Sequence, residues 1–138
     1  MKTILRGILA VVVGFIVGSC VNMSLVLLGP HVIPPPHGVN VGDMESVRAA
    51  IHLFEAKHFV FPFIAHALGT FAGSVVAFLL AASSRPAFAV VIGVLNLAGG
   101  IAAAFMIPAP MWFLVLDLLV AYLPMAWLGI LVGKKITK

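Results

Sequence analysis

The side chains best suited to proton or ion chemistry in this 138-residue sequence are few: four carboxylates and five histidines. Asp117 is the least expected of them, because it stands inside the largely apolar stretch 111–132. An aspartate at the centre of a membrane helix costs about 2.5–3.5 kcal/mol on insertion scales. His66 stands inside a second such stretch, 59–82, and Asn22 inside a third, 5–28. With a helical rise of about 1.5 Å per residue, each of the three lies roughly 10 Å below one shared boundary. A histidine and an aspartate at matched depth can share a proton, orient an imidazole for a ligand or help to hold a cation. They can equally pin two helices together. Asn96 and Tyr122 are expected deeper, and Thr70 and Ser74 continue the His66 face inward at i+4 spacing. The expected ligand pocket is therefore His66, Asp117, Asn22, Asn96, Tyr122 and Thr70.

A second constellation is His52-Leu53-Phe54-Glu55-Ala56-Lys57-His58. Its E-x-x-H spacing is one half of a di-iron carboxylate ligand set, in which residues i and i+3 reach one metal. No second such pair follows, and H-E-x-x-H is absent, which excludes a ferritin-like site and a zincin protease on spacing. A single zinc or copper ion on His52, Glu55 and His58, aided by His31, His37 or His66, is the cofactor that these residue types would take.

Other templates are missing. There is no phosphate-cradling glycine loop and no G-x-S-x-G elbow. The lone Cys20 excludes an internal disulfide and any multi-cysteine metal site.

The elements that position these residues follow from composition. Hydrophobic residues make up 63% of the chain and charged residues 9%, and mean hydropathy is +1.24. A soluble domain carries about 25% charged residues, so this chain cannot clothe a water-facing surface. Four stretches reach the roughly 20 residues that a spanning helix needs: 5–28, 59–82, 87–107 and 111–132. The fold class expected is an all-α membrane protein, a single four-helix transmembrane domain over residues 1–138. The N-terminus opens like a signal peptide, but its apolar run continues through Leu28 and reads as an uncleaved first helix. Lys2, Arg6, Arg85, Lys134, Lys135 and Lys138 fall on one side, whereas Arg48 and Lys57 fall on the other with Asp43, Glu45 and Glu55. The positive-inside rule then puts both termini in the cytoplasm and the 30–58 connection outside. Basic residues at helix ends speak for topology rather than for nucleic-acid binding.

In that connection Pro34-Pro35-Pro36 favours an extended chain. From Asp43, a candidate N-cap, an amphipathic helix is expected, with Met44, Val47, Ile51, Phe54 and His58 on one face. It would tether the chain to the outer surface or form a lid. The first span is expected to stop at Gly29-Pro30, and Pro124 to kink the last one and release the Val120 carbonyl. Gly14/Gly18, Gly69/Gly73 and Gly129/Gly133 each make G-x-x-x-G, and 98–104 is rich in glycine and alanine. Such surfaces serve close packing within the bundle or a homo-oligomer.

The stretches Gly29-Pro30 through Pro34-Pro35-Pro36, His52-Leu53-Phe54-Glu55 to His66-Ala67-Leu68-Gly69-Thr70, and Pro108-Ala109-Pro110-Met111-Trp112-Phe113 through Asp117 to Tyr122-Leu123-Pro124 resemble a group of small, uncharacterised bacterial four-helix membrane proteins. The resemblance covers most of the chain. It implies a bacterial inner-membrane location and transfers no functional residue. The function expected from the residues is a pocket, open to the periplasm, for a small polar ligand, a cation or a lipid headgroup, with transport as one use. The alternatives are a structural subunit of a membrane complex and a metal-dependent enzyme on the histidine-rich outer face.

Overall fold

A computed structural model describes residues 1–138 and consists of helices and connecting turns. Helix α1 spans Lys2–Val32, α2 Met44–Ala50, α3 Val60–Leu80, α4 Arg85–Met106, α5 Met111–Val120 and α6 Leu123–Ile136. Four segments are long and apolar enough to cross a membrane: Lys2–Val32, Ala56–Leu80, Arg85–Met106 and the broken helix Met111–Ile136. The chain is an all-α multi-pass membrane bundle.

Its burial pattern reverses that of a water-soluble domain. Only 26 of 138 residues are buried, and the buried apolar set is dominated by alanine, while Ile8, Leu9, Phe105 and Leu119 stand exposed. Large side chains on the outside and small ones within suit a bundle solvated by acyl chains, where close backbone approach replaces the hydrophobic drive.

Helix α3 is the hub, packing against α1, α4 and α6. Its clasp with α1 joins two glycine pairs. A Cβ placed on Gly14 would lie 2.6 Å from the Gly73 carbonyl oxygen, and one on Gly18 the same distance from that of Gly69. Gly129 packs on the Ser74 side chain and the Phe71 carbonyl, and Gly133 on the Phe78 ring. All three G-x-x-x-G pairs thus make close contacts within the chain. Gly99, by contrast, meets nothing within 4 Å.

At the end of the bundle that holds both termini, Arg6 donates from Nε to the Leu80 carbonyl at 2.8 Å and Arg85 to that of Ala81 at 3.2 Å. Two cations thus satisfy carbonyls at the C-terminal end of α3, where the helix dipole favours them.

Three sequence expectations need correction. Helix α1 continues past Gly29-Pro30 to Val32, with Pro30 inside it. The proline withholds an N–H from the Val26 carbonyl but leaves the helical course intact, and Ile33 closes the helix on the Gly29 carbonyl at 2.8 Å. The outer amphipathic helix is only seven residues long. Asp43 caps it by accepting from the Glu45 N–H at 3.1 Å, and short 3-10 turns at Ile51–Leu53 and Ala56–Phe59 carry the chain onward to α3. The last span is interrupted rather than kinked. Helix α5 ends at Val120, Tyr122 departs from helical geometry at φ −115°, ψ −81°, and α6 begins at Leu123 with Pro124 in its first turn.

Candidate functional site

The matched depth of His66 and Asp117 becomes contact. His66 on α3 places Nδ1 2.8 Å from Asp117 Oδ1 and 3.0 Å from Oδ2. The Tyr122 hydroxyl donates to Asp117 Oδ2 at 2.9 Å, and its ring stacks on the imidazole at 5.8 Å between centroids. Asp117 is 4% exposed and Tyr122 2%, so lipid reaches neither, and the carboxylate faces its partners.

The break in the last span makes this possible. On a continuous helix, residues five apart point about 140° from one another. The turn at Ala121 and Tyr122 removes that offset and swings the phenol back over the carboxylate. Gly100 on α4 makes room, because a Cβ there would collide with the Tyr122 hydroxyl.

His66 and Asp117 form the floor of a cavity of about 290 Å³. Its walls are Val26 and Gly29 of α1, Phe61 and Pro62 of α3, Ala103 and Ala104 of α4, and Phe113 and Leu114 of α5; Val47, Ile51 and Phe54 form the roof with His58 and Phe59. The roof is tied to the start of α5 by aromatic contacts, Phe59 lying 4.7 Å from Phe113 and 5.7 Å from Trp112 between ring centroids.

Every fully buried side-chain nitrogen and oxygen has a partner. The Nε2 atom of His66 has none, so it is not fully buried, and His66 is a residue that lines the cavity. The arrangement is an imidazole held by a carboxylate, which is held in turn by a phenol, with one ring nitrogen left without a partner at an apolar chamber.

The other expected pocket residues lie elsewhere. Asn96 donates from Nδ2 to Thr70 Oγ1 at 3.0 Å, and Ser74 donates to the Ala89 carbonyl at 3.1 Å. Both bonds join α3 to α4 beneath the cavity, and neither Thr70 nor Asn96 lines it. Asn22 packs against Gly69 at the α1–α3 crossing and bonds to neither His66 nor Asp117. Tyr122 lies behind the carboxylate rather than in the cavity wall.

The outer histidines take structural positions. Glu55-x-x-His58 is a reciprocal capping box: the Glu55 side chain accepts from the His58 backbone, and His58 Nδ1 accepts the Glu55 N–H at 2.8 Å. Accepting at Nδ1 leaves the hydrogen on Nε2, which donates to the Pro34 carbonyl at 3.2 Å. Both ring nitrogens are therefore engaged. Glu55 also pairs with Lys57 at 3.5 Å on the exposed surface, and His52 is exposed. No three His, Cys, Asp or Glu side chains come together to hold an ion, so His52, Glu55 and His58 do not form the expected metal site.

Sequence reasoning missed the α4 wall. The small residues of 98–104 read as a packing surface, whereas Gly100, Ala103 and Ala104 leave space that becomes part of the cavity. The lid face was closer to the outcome: Val47, Ile51, Phe54 and His58 all line the cavity and Met44 does not.

No protein-family model, curated protein or solved structure matches this chain. The geometry of the site carries its functional reading alone.

Proposed function

We propose that this protein is a small bacterial inner-membrane protein, with both termini in the cytoplasm, that binds a ligand in the outer half of the bilayer through His66. One observation carries the reading: the imidazole is fixed at Nδ1 by Asp117 at 2.8 Å, its Nε2 has no partner, and the residue lines a chamber large enough for a small molecule. Ligand sites are commonly apolar concavities with a few well-held polar groups, and this one has that make-up. The location rests on the resemblance and on the excess of Lys and Arg on the side of the termini.

A structural role is the competing reading, favoured by the fact that the pair joins α3 to the last span. The two separate on filling the chamber while leaving the pair intact. Ala103→Phe adds a ring at the cavity wall while leaving His66, Asp117 and Tyr122 themselves unsubstituted. Mass spectrometry of gently purified wild-type protein is expected to find a bound small molecule or lipid that this variant lacks. Equal content in two equally folded proteins would leave the pair as a helix clamp.

A further inference from the structure

The ligand's chemistry can be narrowed, given that the cavity is a binding site. The first constraint is the charge of the floor. A lone charge within the membrane is expensive, and a carboxylate with its partner is far less so when the two are neutral together. Two arrangements of His66 and Asp117 achieve this: imidazolium with carboxylate, or neutral imidazole with a protonated acid donating to Nδ1. In both, Nε2 carries a hydrogen. The chamber therefore meets a hydrogen-bond donor, and its occupant should present an acceptor. A cation is disfavoured as well because Asp117 is 4% exposed and both its oxygens are already engaged by His66 and Tyr122.

Shape supplies the second constraint. The α4 wall at Gly100, Ala103 and Ala104 has no side chain beyond a methyl, while Phe54, Phe61 and Phe113 supply rings from other sides. The volume of about 290 Å³ is about twice that of an apolar cavity of ~150 Å³ that admits a benzene.

The third constraint is access. Helices α1 and α4 meet toward their cytoplasmic-side ends, where the Phe88 ring covers Gly7. Farther out they flank the cavity, and Val26 of α1 and Ala103 of α4 are both wall residues and exposed. These two residues belong to spanning helices, which gives a compound dissolved among acyl chains a lateral route to the chamber, beside the outer-loop lining at Val41, which is exposed too.

We infer that the chamber takes an uncharged, flat ring compound dissolved in the membrane, of the quinone class, with a carbonyl oxygen accepting from His66 Nε2. The interaction is binding alone and includes no electron or proton transfer.

The test uses the purified full-length chain in detergent, with menadione as the carbonyl-bearing probe, methylnaphthalene as its carbonyl-free counterpart and tetraphenylphosphonium as an apolar cation. Trp112, packed on Phe59 at the roof, supplies the fluorescence signal, and Trp112→Phe identifies it against Trp127. Menadione is expected to quench saturably and to compete with methylnaphthalene, binding about tenfold more tightly, as one good hydrogen bond to an oriented donor allows. Ala103→Phe should abolish saturable binding, and His66→Phe should remove the menadione preference. Equal affinity of the two naphthalene compounds for the wild type, or binding of tetraphenylphosphonium alone, overturns the assignment and leaves the cavity as a ligand site. No saturable binding of any probe, with no co-purifying molecule sensitive to Ala103→Phe, overturns the assignment and the binding function together.

Discussion

Asp117 and Tyr122 are separated by five positions, yet the phenol hydroxyl lies 2.9 Å from the carboxylate because the last span breaks between them. The interruption exchanges helical continuity for a second donor to a buried acid. It also brings the Tyr122 ring against the imidazole, so the same turn fixes both members of the pair. Within a membrane, backbone that leaves the helix is tolerated where protein covers it. Ala121 and Tyr122 are among the most deeply buried residues of the chain.

Tyr122→Phe should therefore destabilise the folded protein modestly. The ring's packing survives while Asp117 Oδ2 loses a donor, and interhelical polar contacts in membranes are worth about 0.6 kcal/mol on average and up to about 1.7. Gly100→Ala should cost more, because its methyl displaces the hydroxyl and crowds the ring together. Reversible unfolding in mixed micelles would measure both. A Gly100→Ala protein as stable as the wild type would contradict the observed contact.

The α1–α3 clasp offers a stronger test of the fold. Gly14 and Gly18 face backbone carbonyls of α3 rather than flexible side chains, so no rotamer change can relieve an added Cβ. Gly18→Val is expected to destabilise by about 1–3 kcal/mol, the usual range for overpacking. Gly99→Val, at a position with nothing within 4 Å, should be close to neutral. Parallel unfolding curves of the two variants would check the contrast, and equal losses would argue against it.

How much of this was legible in the sequence follows from what each signal measures. The pairing of His66 with Asp117 was readable because the helical rise gives depth, and both spans enter from the same side. Depth is one coordinate only. Asn22 shares it but faces the wrong way, and the means to see this was present: 14, 18 and 22 recur at i+4, so the face that carries the glycines onto α3 carries Asn22 there too. Tyr122 is expected deeper in the same pocket, with only a kink at Pro124; the full break at Ala121 and Tyr122 is what swings its phenol back to Asp117. Pro30 shows the opposite error, a proline read as a stop that the helix accommodates. Glu55-x-x-His58 fits both a ligand pair and a capping box in spacing, and only the turn of the backbone decides between them.

That capping box has a measurable consequence. With both nitrogens of His58 engaged by backbone groups, the Glu55→Ala/His58→Ala variant should leave the metal content of tag-free protein unchanged. What it should lose is the fixed entry into α3 and the tie between the roof and Pro34. Hydrogen exchange at residues 51–60 is expected to quicken, by about tenfold if a hydrogen bond worth roughly 1.4 kcal/mol is lost. Elemental analysis and exchange on the same samples check both halves. A stoichiometric metal lost in the variant would restore the metal reading.

Orientation can be tested through the chain's own chemistry. Cys20 is the single cysteine and lies within a spanning helix, so Cys20→Ser clears the background for labelling. A cysteine then placed at Asn40 sits in the exposed loop between α1 and α2, and one at Thr137 follows α6 at the other end. Charge placement implies that an impermeant maleimide added to intact bacterial cells labels the first and reaches the second only after lysis. Position 40 should therefore react fully on whole cells and position 137 hardly at all. The reverse pattern would turn the cavity toward the cytoplasm, and with it the side of the membrane from which His66 is served.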